Sequence, residues 1–134
     1  EGMEKSGDGA VGDQTSGYPG ITPECAAEGI MSALHSIRGR WKMTILFHLF
    51  GRKQKRFSEL ERLIPNVTQK MLTQHLRELE RDGILRRTVF PEVPLRVEYS
   101  LTEVGESLCP ALDELLSWEQ ARSSEPFREY PTKK

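Results

Sequence analysis

Residues 57–83 read Phe57-Ser58-Glu59-Leu60-Glu61-Arg62-Leu63-Ile64-Pro65-Asn66-Val67-Thr68-Gln69-Lys70-Met71-Leu72-Thr73-Gln74-His75-Leu76-Arg77-Glu78-Leu79-Glu80-Arg81-Asp82-Gly83. Two helical periods lie in this stretch. Ser58 followed three residues later by Glu61 predicts a capping box, with Leu60, Leu63 and Ile64 as the apolar side of a short helix. Pro65 stops that helix, and Asn66-Val67 make the turn. Thr68 offers a second N-cap, and Leu72, Leu76 and Leu79 form a stripe that runs until Asp82-Gly83 closes the helix. A helix, a tight turn and a second helix at this spacing predict a helix-turn-helix unit.

The second helix has a polar outer face. Gln69, Lys70, Thr73, Gln74 and Arg77 fall at i, i+1, i+4, i+5 and i+8, on the side away from the leucines. Glutamine can bond adenine, arginine and lysine can bond guanine, and threonine either, so these residue types suit base edges and phosphates. A solvated helix face is the plain alternative.

After Gly83 the apolar period changes to two. Leu85, Arg87 and Val89 alternate with Ile84, Arg86, Thr88 and Phe90, and the return run Arg96–Leu101 puts Val97, Tyr99 and Leu101 on one face. The proline-bearing loop 91–95 between them predicts a stiff-tipped hairpin, a wing following the helix-turn-helix. Arg86 and Arg87 lie on its outgoing strand. Arg96, beside the tip, either meets a phosphate backbone or pairs with Glu92 or Glu98 and holds the hairpin.

Upstream, Thr22 as N-cap and Pro23 at the first position begin a helix bearing Ile30, Leu34 and Ile37, with Gly39 as its end. A more apolar helix follows from about Trp41 to Phe50, with Ile45, Leu46, Leu49 and Phe50 inward and Trp41 read as a core residue. Downstream, a last helix starts after Thr102 and carries Val104, Leu108, Leu112, Leu115, Leu116 and Trp118, with Pro110 predicted to kink it. The expected fold is α+β: a mainly α winged helix-turn-helix with a two-stranded β-hairpin wing and flanking N- and C-terminal helices. Residues 21–122 form this domain. The glycine-rich segment 1–20 and the polar segment 123–134 read as tails, the first disordered.

The formal net charge of -1 over 134 residues hides a segregation. Residues 1–37 hold one basic and six acidic residues, residues 38–96 fourteen and six, and residues 97–134 four and eight, giving -5, +8 and -4. A basic middle that coincides with the helix-turn-helix and wing is the footprint of a polyanion partner. No apolar run approaches the length of a membrane span, and no signal-like segment is present, so the expected location is cytoplasmic. Cys25 and Cys109 are too few for a disulfide framework, and His35, His48 and His75 share no metal-ligand spacing with them. No catalytic constellation and no cofactor motif is recognisable, which argues against an enzyme.

The runs Ile37–Trp41, Arg56–Leu60, Thr68–Gln74, Leu76–Gly83 and Pro91–Thr102 resemble the HxlR family of bacterial winged-helix transcriptional regulators, relatives of the MarR regulators. The similarity extends over roughly residues 25–118. It implies a homodimer on double-stranded DNA that represses or activates nearby genes, with the first and last helices as dimer interface. It also implies that Thr68–Arg81 enters a major groove while the wing approaches the adjacent minor groove. Base readout then falls to Gln69, Lys70, Thr73, Gln74 and Arg77, and phosphate contacts to Lys42, Lys55, Arg56, Arg86, Arg87 and Arg96. Such a dimer suits inverted repeats about one helical turn apart, roughly 34 Å. A winged helix used for protein interaction, without DNA, is the alternative.

Many members of that family carry a Cys-Pro pair near the start of the first helix, and in some the thiol senses oxidants or electrophiles. Here Cys25 is followed by Ala26, with Pro23 two residues ahead, and the wing reads Pro94-Leu95 where two prolines are common. Cys25 at about the third helical position lies near the positive end of the helix dipole, which suits a thiolate sensor. A buried, inert thiol is the alternative. Cys109 reads as simply packed. The effector, an oxidant or a small molecule, is not specified.

Overall fold

Thr22 and Pro23 start the first helix as expected: the Thr22 hydroxyl accepts from the Cys25 N–H at 3.1 Å, and α1 spans Pro23–Ile37. The computed structural model describes residues 20–123, so the readings of the two tails fall outside the described residues except at Gly20 and Ser123. The chain divides into two compact units after Ile37. In the first, α1 presents Ile30, Met31 and Leu34 as an exposed apolar stripe.

In the second unit, Gly39 corrects an expectation. The sequence suggests it as the stop of α1, yet it has φ 106 and is the N-cap of α2 (Arg40–Leu49). A left-handed backbone of this kind suits glycine, which here starts a helix. Ile45, Leu46 and Leu49 on α2 are fully buried. They meet Leu60 and Ile64 from the α3 (Phe57–Leu63) region and Leu72, Leu76 and Leu79 from α4 (Gln69–Arg81) in the core. Each such side chain contributes about 1.5–3 kcal/mol by leaving water, which makes this cluster a large part of what holds α2, α3 and α4 together.

The start of α3 differs from expectation. The helix begins at Phe57, and Glu59 rather than Glu61 reaches back, accepting from the Arg56 N–H at 2.8 Å. Ser58 thus lies inside the first turn, and the acid at the third helical position satisfies the orphan donor. Ile64 ends the helix, and Asn66 takes a positive φ of 67 in the turn before Thr68.

β1 (Leu85–Phe90) and β2 (Arg96–Leu101) pair antiparallel, with Leu85 opposite Leu101, Arg87 opposite Tyr99 and Phe90 opposite Arg96. A further bridge has no counterpart in the sequence pattern: Lys55 and Tyr99 exchange backbone hydrogen bonds at 3.0 and 2.8 Å, which ties the approach to α3 onto the wing. Thr102 locks the hairpin's base. Its N–H donates to Ile84 O at 3.0 Å, its hydroxyl donates to Gly83 O at 2.7 Å, and the same oxygen accepts from the Gly105 N–H at 3.1 Å.

The expected last helix is two pieces, α5 (Glu103–Glu106) and α6 (Leu108–Arg122), joined at Ser107. The break removes the predicted kink. Pro110 becomes the third residue of α6, where its missing N–H would have had no helical partner. Glu106 accepts from the Gly51 and Arg52 N–H groups at 3.1 and 2.8 Å, so α5 also caps the turn after α2. No described helix is long and apolar enough to cross a membrane.

Candidate nucleic-acid interface

The polar face of α4 is positioned from both ends and from beneath. Thr68 caps the start, its hydroxyl accepting from the Met71 N–H at 3.1 Å, and Gly83 with φ 77 follows the end. The buried leucines fix the roll of the helix, which leaves Gln69, Lys70, Gln74 and Arg77 exposed and Thr73 half-buried. Lys70, Thr73, Gln74 and Arg77, with Glu78 and Arg81, line one open surface groove of about 540 Å³ along a single face of α4. Gln69, at the first helical position, is exposed but not in that lining. Lys70 and Arg77 make no ion pair among the described residues. Donors and acceptors on a rigid helix, with two unpaired cations among them, are what base edges and phosphates require.

Lys42 is not part of this surface. Its side chain is 10% exposed, and its ammonium lies 2.9 Å from Glu78 Oε1. The residue points inward because positions 42, 45, 46 and 49 share one stripe of α2, the stripe that packs on α4. A buried ammonium requires a carboxylate, and Glu78 supplies it. Glu78 Oε2 in turn accepts from Gln74 Nε2 at 3.1 Å, and His75 Nδ1 lies 3.6 Å from Glu78 Oε1. The Lys42 bond first and the Gln74 bond second hold the Glu78 carboxyl down at about 2.

The wing residues separate. Arg96 meets both of its possible partners: Nη2 lies 2.9 Å from Glu92 Oε2, Nη1 lies 2.6 Å from Glu98 Oε2, and the guanidinium sits 3.8 Å over the Phe90 ring. Its pKa is raised, Glu92 foremost, and that of Glu92 is lowered by Arg96. Arg86 and Arg87, both exposed, are neighbours on β1 and therefore lie on opposite faces of the hairpin. Arg87 shares its face with Tyr99, and Lys55 pairs with Tyr99 from the other side, so Lys55 and Arg87 flank one residue row. Val93 and Leu95 stand exposed at the tip.

Arg56, at the N-cap of α3, is exposed. Nearby, burial and then the charges of Lys55 and Lys53 push the His48 imidazole below its ordinary pKa. Trp41 is half-buried, with the Arg40 guanidinium 4.9 Å from its ring, rather than fully in the core.

The two thiols differ. Cys25 is exposed at the third position of α1. Cys109 is half-buried, lies 3.9 Å from Asp113 Oδ2, and burial together with that carboxylate raises its pKa.

The HxlR-like helix-turn-helix family profile matches residues 36–126. The uncharacterized HTH-type transcriptional regulator YtcD of Bacillus subtilis (strain 168) is 55% identical over 89 residues, 66% of this chain and 70% of its own. A solved MarR-family transcriptional regulator from Enterococcus faecalis V583 superposes with a TM-score of 0.69 at 38% identity, covering 78% of this chain and 91% of that one. The redox regulator HypR in its reduced form gives 0.64 at 42% identity, covering 70% and 92%. The match spans the helix-turn-helix and wing just described, and the chain belongs to the HxlR-like helix-turn-helix family and is a transcriptional regulator of helix-turn-helix type.

Proposed function

We propose that the protein is a sequence-specific regulator that binds double-stranded DNA as a homodimer on inverted repeats. The observation that carries this reading is the α4 groove, in which Lys70, Thr73, Gln74 and Arg77 converge on the outer side of a capped, core-anchored helix. A capped helix with these side chains on its outer face suits a major groove, with α4 reading bases and the residues around it holding phosphates. The phosphate set is Lys55, Arg56 and one of Arg86 and Arg87, since the hairpin cannot turn both faces to the same backbone. Arg96 holds the wing, and Lys42 holds α4.

A homodimer is supported by uncovered apolar surface. A groove of about 390 Å³ between α2 and α6 is lined by Met43, Phe47, Leu112, Leu115, Leu116 and Trp118, and α1 carries its own exposed stripe. A soluble monomer rarely leaves contiguous apolar patches of this kind in water. A second copy of the chain covers them and sets the spacing of the two recognition helices.

An oxidant effector acting on Cys25 is the second part of the reading. It rests on the exposure of that thiol at a helix N-terminus and on the similarity to a redox regulator. Selection of bound duplexes from a random-sequence library by the purified protein tests the DNA-binding and inverted-repeat reading. The expected result is a twofold-symmetric site with half-sites one turn apart. Recovery of no preferred sequence, with binding to a protein partner instead, would favour the interaction-module alternative.

A further inference from the structure

The Lys42–Glu78–Gln74 chain links the buried side of α2 to the exposed side of α4. Lys42 enters from the core, Glu78 lies at the edge of the helix with its side chain 26% exposed, and Gln74 stands one turn earlier on the groove. A carboxylate only accepts hydrogen bonds, so the amide group facing it must be Nε2 and not Oε1. The Gln74 amide is thereby oriented, with its oxygen turned away from Glu78. Glutamine on a groove without such a neighbour is free to flip its amide. A flipped amide reverses the order of donor and acceptor that a base edge meets, and adenine recognition depends on that order.

We propose that Glu78, braced by Lys42, is a positioning residue that fixes the orientation of the Gln74 amide and so sets which base pair Gln74 selects. This rests on the reading of α4 as a DNA-recognition helix. Two features separate the role from plain helix packing. The buried lysine stands beneath a recognition-face amide that donates to the same carboxylate. The pair also lies where an aliphatic residue would serve packing as well, since replacing a buried ion pair by apolar side chains is often neutral or stabilising.

Lys42→Met with Glu78→Met removes both charges together and leaves no unpaired buried ion. Lys42→Met with Glu78→Gln puts at position 78 an amide that donates as readily as it accepts, so it no longer dictates which end of the Gln74 amide faces it. Denaturation midpoints and far-ultraviolet spectra establish that each variant is folded. The full chain, each double variant and Gln74→Ala are then titrated against the duplex recovered by library selection and against its single-base-pair variants.

Gln74→Ala is expected to relax discrimination at one base pair by about ten-fold. The Met/Met variant relaxes the same pair to a similar extent, leaves the other pairs and the salt dependence as they were, and makes a further Gln74→Ala change without effect. The Met/Gln variant relaxes it as well, because an amide at position 78 fixes neither orientation. Discrimination at that pair unaltered in the Met/Met variant overturns the proposal, as does uniform weakening at every pair or full wild-type preference in the Met/Gln variant. A wild-type chain that selects no sequence removes the DNA-binding reading first, and this one with it.

Discussion

Replacing Arg96 by glutamine should leave the salt dependence of DNA binding unchanged, although Arg96 belongs to the basic segment and sits beside the wing tip. Its guanidinium is held by Glu92 and Glu98 and stacked on Phe90, so it has little capacity left for a phosphate. Arg56→Gln is the matched comparison, because Arg56 is exposed and makes no ion pair among the described residues. Removing one cation from a phosphate lowers the slope of log K against log salt by ~0.9. A homodimer carries Arg56 twice, so between about 50 and about 200 mM salt the Arg56→Gln affinity should fall ~12-fold less than that of the wild type. Arg96→Gln should show the wild-type slope, together with a lower unfolding midpoint as the hairpin loosens. The assay is a fluorescence-anisotropy titration of one labelled duplex at four or more salt concentrations. A slope change in Arg96→Gln as large as that in Arg56→Gln would refute the assignment of Arg96 to the hairpin. No change in Arg56→Gln would remove Arg56 from the backbone set.

Gly105→Ala should destabilise the fold by about 1–3 kcal/mol in chemical denaturation, because a Cβ there would collide with the Ile84 carbonyl and crowd Leu101; an unchanged midpoint would show that α5 yields freely. Thr68→Ala should cost about 1 kcal/mol through loss of the α4 cap and weaken binding to all sequences alike, as measured by denaturation and by titration against selected and scrambled duplexes. The Glu78 carboxyl, lowered to about 2 from an ordinary 4.5, stabilises the fold fully above pH 4.5 and loses that contribution as pH falls toward 2. With screening of a partly exposed group the effect is about 1–2 kcal/mol, and the acid limb of the midpoint-against-pH curve should flatten in the Lys42→Met, Glu78→Met variant. Diamide should alter DNA affinity in the wild type and not in Cys25→Ser; the same response in both would place the effect elsewhere.

The helix-turn-helix and wing are legible in the sequence because each boundary carries a local chemical signal. Thr68, Asp82-Gly83 and the proline-bearing loop 91–95 act within a few residues of themselves, and the leucine stripe at 72, 76 and 79 can be buried in one way only. The departures have the opposite character. The α3 cap shifts because Ser58-Glu61 and Arg56-Glu59 offer overlapping registers, and the carboxylate that reaches the free N–H wins. The expected last helix is divided at Ser107, and the α5 piece packs Gly105 against Ile84 and bonds Glu106 to the Gly51 and Arg52 N–H groups, contacts across the fold that no local pattern displays. For Lys42, position is a stronger signal than charge. It stands with Ile45, Leu46 and Leu49 at helical spacing, as Glu78 stands between Leu76 and Leu79, so two opposite charges on two facing apolar stripes mark the pair. The Lys55–Tyr99 bridge has no local signal at all.

The same pairings explain how a chain of net charge -1 keeps a cationic surface. Several acidic residues of the basic segment are taken up by structural tasks inside it: Glu78 on Lys42, Asp82 on Arg81, Glu92 on Arg96, and Glu59 on the start of its own helix. Glu59, Asp82 and Glu92 are thus drawn to a helix end or the hairpin, and Glu78, which lines the α4 groove, is neutralised there by Lys42. The cations left without such partners among the described residues, Lys55, Arg56, Lys70, Arg77, Arg86 and Arg87 among them, are the ones that project from α4, the α3 N-terminus and the wing. A polyanion held by these groups meets little opposing charge at close range, and at physiological salt the acidic remainder beyond about 8 Å is largely screened. Net charge therefore says little about such a partner, whereas the fate of each carboxylate decides where the surface stays cationic.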